Sequence, residues 1–338
     1  MDRLTWGSRD IVTDDASYTD IRVEPGNRGR EAERPGGIPV RGWKDVVTRV
    51  KAQLKEDDVP LLAAGVAFFA LLALVPTLVA VVSLYGLVAD PSDVQRTVDD
   101  TLQAAPAEVS DLVSSQLESV IDSSPSGLRL GVFAGLALAL WSASSGMKHL
   151  MGALTLAYDE VDDRKFVRLR GLALLLTLGA IVLALLALAG MVVPDGLDDS
   201  GSTGTLRTVL QFARWPVLAL IVVVALSVLY RWAPDRDAAR WRWVSPGALL
   251  ATAVWLVASI AFSIYTANFG KYNETYGTLG AIVVVMLWLY ITAYAVILGA
   301  ELNCELERQT VVDTTKGPER PLGERGAYAA DTLGRSSA

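Results

Sequence analysis

Polar and ionisable side chains inside long apolar segments are the residues of this chain that could do chemistry. A charged group at membrane depth is unfavourable, so it often marks the path of a transported ion or molecule. Four candidates fall near the same end of their segments: Ser145, Lys148, His149 and Glu301. One interpretation is that they line a polar inner mouth, where Lys148 and Glu301 could meet as an ion pair. The other, favoured because neither Lys148 nor Glu301 is at mid-membrane, is that these side chains extend to the lipid headgroups and anchor helix ends.

A proline inside the first apolar segment marks a further candidate position. Pro76 has no backbone N–H, so it is expected to kink its helix or widen it locally. Broken helices line the sites of many transporters, although proline kinks also occur in membrane helices without a site. The segment that contains Trp141, Ser145 and Gly146 is the most polar of the apolar segments. Close helix packing explains its small residues as well as a substrate path does.

The composition excludes several classes of catalytic site. The 338 residues include one cysteine, Cys304, and one histidine, His149. These numbers exclude an internal disulfide, a cysteine-based zinc site and a multi-histidine metal site. No P-loop, zinc-protease, nucleophile-elbow or dinucleotide-binding motif is present, so the sequence predicts neither an enzyme nor a cofactor. The short basic loops lack interleaved aromatic residues and do not support nucleic-acid binding.

Six apolar segments predict an all-α fold, a polytopic bundle of six transmembrane helices. The chain is 52% hydrophobic, and the apolar residues lie in blocks near or above the roughly 20 residues that a spanning helix needs. The predicted spans are about residues 61–88, 128–158, 171–193, 212–232, 244–267 and 279–302. They form a predicted transmembrane domain at 43–308. Polar composition predicts disordered cytoplasmic tails at 1–42 and 309–338.

The distribution of lysine and arginine predicts the orientation of the bundle. Basic residues lie before the first span and in the loops after the second and fourth spans, whereas the other loops are acidic or nearly uncharged. Because basic loops stay inside the cell, this pattern predicts six spans with both termini in the cytoplasm. Residues 43–55 are amphipathic at helical spacing. They predict a helix on the membrane surface or, alternatively, a soluble helix that caps the bundle.

The loop at 90–127, after the first predicted span, is long for a connection. Apolar residues recur at helical spacing on both sides of Pro106, which predicts two amphipathic helices outside the cytoplasm. These helices are expected to cap the bundle, or else to bind a partner.

Two segments resemble the YihY/BrkB family of bacterial inner-membrane proteins. They are Ala63–Thr77, with the sequence AAGVAFFALLALVPT, and Tyr276–Asn303. The six-span layout, the long first outer loop and the Trp141–Ser142 pair are similar as well, and the resemblance covers about 43–308. The family has carried the label ribonuclease BN, and one branch is linked to serum resistance and virulence. A single histidine cannot supply the ligands that metal-dependent RNA hydrolysis of that type needs.

The resemblance implies an integral protein of the inner or plasma membrane, with transport as the expected activity. The preferred hypothesis is a transporter or exporter of a small or amphiphilic molecule. Its predicted partners are the lipid bilayer and a small-molecule or lipid substrate, and a homo-oligomer is compatible with the sequence. One alternative is a non-transporting envelope scaffold or virulence-associated protein that docks a partner through the 90–127 loop. Another is an enzyme.

Overall fold

The chain forms a series of long helices. A computed structural model describes residues 28–85, 128–196, 204–268 and 278–336. After a 3-10 turn at Pro35–Gly37, the elements are α1 (Val40–Glu56), α2 (Val59–Tyr85), α3 (Leu128–Ala157), α4 (Phe166–Gly196), α5 (Gly204–Trp232), α6 (Trp241–Asn268), α7 (Thr278–Glu307) and α8 (Tyr328–Asp331). Within these ranges the predicted all-α class is confirmed, since the β-structure described is an isolated bridge between Ala239 and Thr315.

Several helices are long and apolar enough to cross a membrane, judged by length and composition. Four such segments lie in α4 to α7, at Phe166–Leu186, Phe212–Trp232, Trp241–Thr266 and Ile282–Glu307. A fifth candidate is α1 together with Val59–Leu74 of α2, two helices bent by 62° at their junction. The described residues therefore contain four or five candidate spans, and six spans stay a prediction. The predicted helices of the 90–127 loop lie outside the described residues, as do residues 1–27.

The buried core lies at one end of the bundle, which we call the charged end. Here α1 and the starts of α2, α4 and α6 meet the ends of α3, α5 and α7. Helix α7 packs against α1, α2, α3 and α6. The largest buried apolar side chains belong to these helix ends: Leu154, Tyr230, Trp243, Ile297 and Leu306. Further along the helices, apolar side chains such as Leu220 and Val257 are exposed on the surface of the chain, as lipid contact requires.

Helices α6 and α7 approach each other at two glycines. A Cβ atom at Gly299 would lie 2.6 Å from the carbonyl oxygen of Gly247. One turn further along α7, the Asn303 side chain accepts a hydrogen bond from the Gly247 amide (2.7 Å) and donates one to the Val244 carbonyl (3.1 Å). The Asn303 side chain thus satisfies backbone groups near the start of α6, so polar contacts hold the crossing.

The predicted amphipathic segment forms α1. Its Val46 and Val50 side chains are buried in the core, whereas Lys44, Lys51 and Lys55 are exposed. Because the apolar face packs on the protein, α1 matches the alternative of a helix that caps the bundle. Contact of its basic side with anionic lipid stays a prediction.

Residues 309–336 fold back onto the charged end. The Thr310 hydroxyl donates to the Ala32 carbonyl (2.8 Å), and the Gly334 amide donates to the Arg308 carbonyl (2.8 Å). Arg325 donates to the carbonyls of Ala330 and Val311, at 2.7 Å each. The folded segment differs from the disordered tail that the polar composition predicts. It is folded because its polar side chains form hydrogen bonds with backbone groups of the segment itself and of the helix ends.

One carboxylate organises the last part of this segment. Asp331 accepts hydrogen bonds from the amides of Gly323 (2.7 Å), Arg325 (3.0 Å) and Gly326 (3.0 Å). Bonds to a charged group contribute about 1.5–3 kcal/mol each, so Asp331→Ala should open the segment. We expect limited trypsin digestion after Arg325 to become at least about tenfold faster. Glu319→Ala, at an exposed position of the same segment, is the control; equal rates for the two variants would contradict the expectation.

Candidate functional site

The end of α7 carries the main polar cluster of the charged end. Five of its side chains have no exposed surface: Glu301, Asn303, Glu305, Glu307 and Gln309. The sequence predicts Glu301 as a site residue but not the other four, because the predicted last span ends at 302. The missed signal is the run of alternating polar residues from 301 to 309, which places them on opposite sides of the helix end and indicates that protein surrounds it.

An ion pair joins the end of α7 to the α5–α6 connection. Arg236 donates to both oxygens of Glu307, at 3.0 and 2.7 Å, and the two side chains are 2% and 0% exposed. The Thr314 hydroxyl donates to the same carboxylate at 2.6 Å. Burial by itself would lower the pKa of Arg236, but the charge and hydrogen bonds of Glu307 outweigh burial and raise it. Arg236 therefore stays charged although it is buried.

A second set of charges joins α7 to α1. Arg49 donates to the Glu305 carboxylate through Nε and to the Gln309 side chain at 2.9 Å. Arg308 donates to the other oxygen of Glu305 at 2.6 Å and lies 3.9 Å from Asp159. Glu305 is thus neutralised by two arginines.

Glu301 has a different environment from Glu305 and Glu307. Both of its carboxylate oxygens are buried, and neither has a hydrogen-bond donor among the described residues. The structure does not bring Glu301 and Lys148 together as the predicted ion pair. The two residues belong to separate parts of the charged end, with Glu301 inside the core and Lys148 in a cleft at its side.

The cleft has a volume of about 360 Å³ and lies between α2, α3 and the start of α4. Its walls are mainly apolar, and its ionisable residues are Lys148, His149 and Asp162. The His149 ring stacks on Phe69 with ring centroids 3.4 Å apart and an interplanar angle of 8°. The structure thus places two of the predicted site residues, Lys148 and His149, in one cavity.

The two charged residues of the cleft differ in their partners. Arg164 binds Asp162 through two donors, at 2.9 and 2.6 Å, and these hydrogen bonds lower the pKa of the Asp162 carboxyl against the opposing effect of burial. Asp162 is therefore ionised and neutralised by Arg164. Lys148 lines the same cavity and forms no ion pair shorter than 4.0 Å with a described residue, although its charge helps to lower the pKa of Asp162.

Ser145 lies beside the cleft and binds Arg170 of α4. The Arg170 guanidinium donates to the Ser145 hydroxyl at 3.3 and 3.2 Å and to the Trp141 carbonyl, and it lies 4.1 Å from the centre of the Trp141 ring. The predicted third span begins at residue 171 and leaves Arg170 in a loop, whereas the structure places Arg170 inside α4. The role of Ser145 is therefore to hold a buried arginine between α3 and α4.

Pro76 lies inside α2, which continues through it as one helix. The adjacent Thr77 hydroxyl donates to the Ala73 carbonyl at 2.6 Å. The sharp bend of this region lies instead between α1 and α2, where Asp58 has a φ of 46°. In the ranges that the structure describes, no group of three or more His, Cys, Asp and Glu side chains is placed to hold a metal ion.

The comparison with known families identifies the chain. The family model described as virulence factor BrkB matches residues 50–323, which include α2 to α7. The chain belongs to the BrkB family. The predicted resemblance is thereby confirmed, and with its four or more apolar helices the chain is a multi-pass protein of the cell membrane.

Relatives of this BrkB-family chain occur in several bacteria. The ribonuclease-like protein YfkH of Bacillus subtilis is 33% identical over 253 residues, which cover 73% of this chain and 90% of YfkH. A UPF0761 membrane protein of Rhodospirillum centenum is 27% identical over 312 residues, covering 90% of this chain and 66% of the relative. Another, from Alteromonas mediterranea, is 25% identical over 260 residues, covering 75% and 84%. No solved structure matches.

Proposed function

We propose that this BrkB-family protein is a six-span transporter that moves an amphiphilic molecule, with the charged end in the cytoplasm. The observation that carries the proposal is the cleft between α2, α3 and α4, in which mainly apolar walls surround Lys148, a cation without an ion pair among the described residues. A cavity of this kind can hold an apolar chain along its walls while Lys148 binds an anionic head group.

The cleft is accessible from the side of the bundle. Leu61 and Leu156, which line it on α2 and α3, are 72% and 51% exposed on the surface of the chain. Apolar side chains with this exposure on a membrane protein favour contact with lipid or with a lipid-like molecule. An amphiphile could therefore enter from the bilayer without first passing through water.

The proposed orientation rests on the basic residues that gather at the charged end. Arg49, Arg164, Arg236 and Arg240 all lie in α1 or in connections at this end, and loops rich in arginine and lysine stay in the cytoplasm. A cysteine placed at Asp237 should react with a membrane-impermeant thiol reagent only after the cells are opened. Labelling of that cysteine in intact cells would reverse the proposed orientation.

Transport can be measured in vesicles of phosphatidylcholine that contain a trace of fluorescent phosphatidylglycerol. The purified protein should move the fluorescent lipid between leaflets faster than empty vesicles do. Lys148→Ala should slow this movement about 10- to 100-fold, because a hydrogen bond to a charged group contributes about 1.5–3 kcal/mol. Lys165→Ala removes an exposed lysine outside the cleft and serves as the control. Equal rates of lipid movement in Lys148→Ala and Lys165→Ala would show that Lys148 is not part of the proposed site.

The alternative of an envelope scaffold depends on a different part of the chain. It rests on the 90–127 loop, which lies outside the described residues, so it stays a prediction. Deletion of that loop, followed by cross-linking in cells, would identify partners that depend on it.

A further inference from the structure

We infer that Glu301 and Asp57 form a buried carboxyl pair that binds one proton at the junction of α1, α2 and α7. The proton is held by the carboxyl group of one residue and hydrogen-bonded to the carboxylate of the other. This site is separate from the cleft, and it does not depend on the proposed substrate.

Glu301 has no counter-ion among the residues that the structure describes. Its side chain is fully buried, and neither oxygen has a donor among the described residues. An ionised carboxylate in such a place is strongly unfavourable, whereas a neutral carboxyl group is tolerated. The same helix provides the comparison. Glu305 and Glu307 are equally buried, and each is bound by an arginine.

The neighbours of Glu301 include carboxyl groups from three parts of the chain. Asp57, from the junction between α1 and α2, lies within hydrogen-bonding range. Asp159, from the α3–α4 connection, and Glu305 and Cys304, from α7 itself, also lie near Glu301. Arg49 and Arg308 bind Glu305, and Arg308 lies 3.9 Å from Asp159, so these two arginines balance those carboxylates and not Glu301. Asp57 is therefore the carboxyl group that Glu301 faces most directly.

Two facing carboxyl groups bind a proton more readily than one alone. An ionised carboxylate only accepts hydrogen bonds, so two of them cannot bond to each other. One proton makes one group a donor and removes the repulsion between two negative charges, which is why facing carboxyl groups share a proton. Binding takes H⁺ from water and forms one O–H bond, and release returns H⁺ to water. No other bond changes.

The position of the pair suggests what the proton controls. Release of the proton leaves two negative charges between α7 and the start of α2, and their repulsion favours separation of the two helices. The start of α2 also provides Leu61, Gly65 and Phe69 to the cleft. Proton release can therefore alter the cleft, which would make H⁺ the coupling ion. This coupling rests on the proposed function, whereas the proton site itself does not.

Infrared spectroscopy tests the proton directly. The full-length protein in lipid nanodiscs at neutral pH should show a C=O stretching band of a protonated carboxyl group that shifts in heavy water. The band should disappear in Glu301→Gln, shift in Asp57→Asn because the proton loses its carboxylate acceptor, and persist unchanged in Glu307→Gln. A wild-type spectrum identical to that of Glu301→Gln in this region would overturn the proposal.

Thermal unfolding gives a second, independent readout. Glutamine has the shape of a protonated glutamate, so Glu301→Gln should keep the wild-type melting temperature, whereas Glu307→Gln should melt lower because Arg236 loses its counter-charge. Similar decreases in the melting temperature of Glu301→Gln and Glu307→Gln would contradict a proton bound at Glu301.

In the lipid-movement assay, an imposed pH gradient should change the rate of the wild-type protein but not the rate of Glu301→Gln. An infrared band without any lipid movement would retain the proton site and reject the proposed transport.

Discussion

Replacement of Arg236 by methionine should lower the free energy of unfolding by about 3–5 kcal/mol. Arg236 and Glu307 are 2% and 0% exposed, and two hydrogen bonds join them. Methionine fills much of the same volume but leaves the Glu307 carboxylate buried, with the Thr314 hydroxyl as its one side-chain donor among the described residues. Unfolding of the purified protein in mixed micelles, followed by the loss of helical circular dichroism, measures the change.

An exposed ion pair of the same type provides the control for this prediction. Arg320 binds Asp237 at 2.7 Å, but the two side chains are 38% and 49% exposed. Water and salt screen such a pair, so Arg320→Met should change the free energy of unfolding by less than about 1 kcal/mol. A loss in Arg236→Met no larger than in Arg320→Met would contradict the prediction.

The double variant separates the cost of an unpaired charge from the net value of the pair. Arg236→Met combined with Glu307→Leu removes both charges and leaves no buried carboxylate. We expect it to recover most of the stability lost in Arg236→Met, because well-packed apolar residues commonly replace buried ion pairs with little loss. A double variant as unstable as Arg236→Met would mean that Thr314 and Tyr158, which also contact the pair, need it for their own positions.

Helix α5 shows what sequence could predict about the fold. Its predicted span, 212–232, coincides with the apolar segment Phe212–Trp232 of the structure. The length of an apolar run and the charges that end it are local properties, so they can be read from one stretch of chain. Helix α7 shows the opposite case. Its apolar run ends near Ala300, but the helix continues to Glu307, because distant segments supply partners for its charged residues.

The difference between local properties and contacts between distant segments also explains which parts of the candidate site could be predicted. Lys148 and His149 are adjacent in sequence, and the structure places both in one cleft. The expected pair of Lys148 with Glu301 required the two helices to present these residues to each other, which equal depth alone does not determine. The partners of the α7 carboxylates lie far away in sequence, Arg49 by 256 residues and Arg236 by 71. Sequence periodicity contains no information about such pairs.

The close approach of α6 and α7 leads to the second large effect. Gly299→Ala should destabilise the protein by about 3 kcal/mol or more, at or beyond the upper end of the usual cost of overpacking. The new methyl group would lie 2.6 Å from the Gly247 carbonyl oxygen and 2.9 Å from the Ala251 Cβ, and it would overlap the Tyr230 hydroxyl. Two of these neighbours, the Gly247 carbonyl and the Ala251 Cβ, are fixed to the backbone of α6, so relief requires α6 and α7 to separate.

Separation of these helices would also break polar contacts that hold them. Asn303 of α7 accepts a hydrogen bond from the Gly247 amide of α6 at 2.7 Å. Beside this crossing, Tyr230 of α5 donates to the Val296 carbonyl of α7 at 2.8 Å, so a shift of α7 would disturb that bond as well. Gly179→Ala is the matched control, since a Cβ at this position of α4 meets no atom within 4 Å. There the higher helix propensity of alanine should keep stability equal or raise it by up to about 1 kcal/mol. If unfolding in mixed micelles gave the two alanine variants the same stability, α6 and α7 would not be in the backbone contact described.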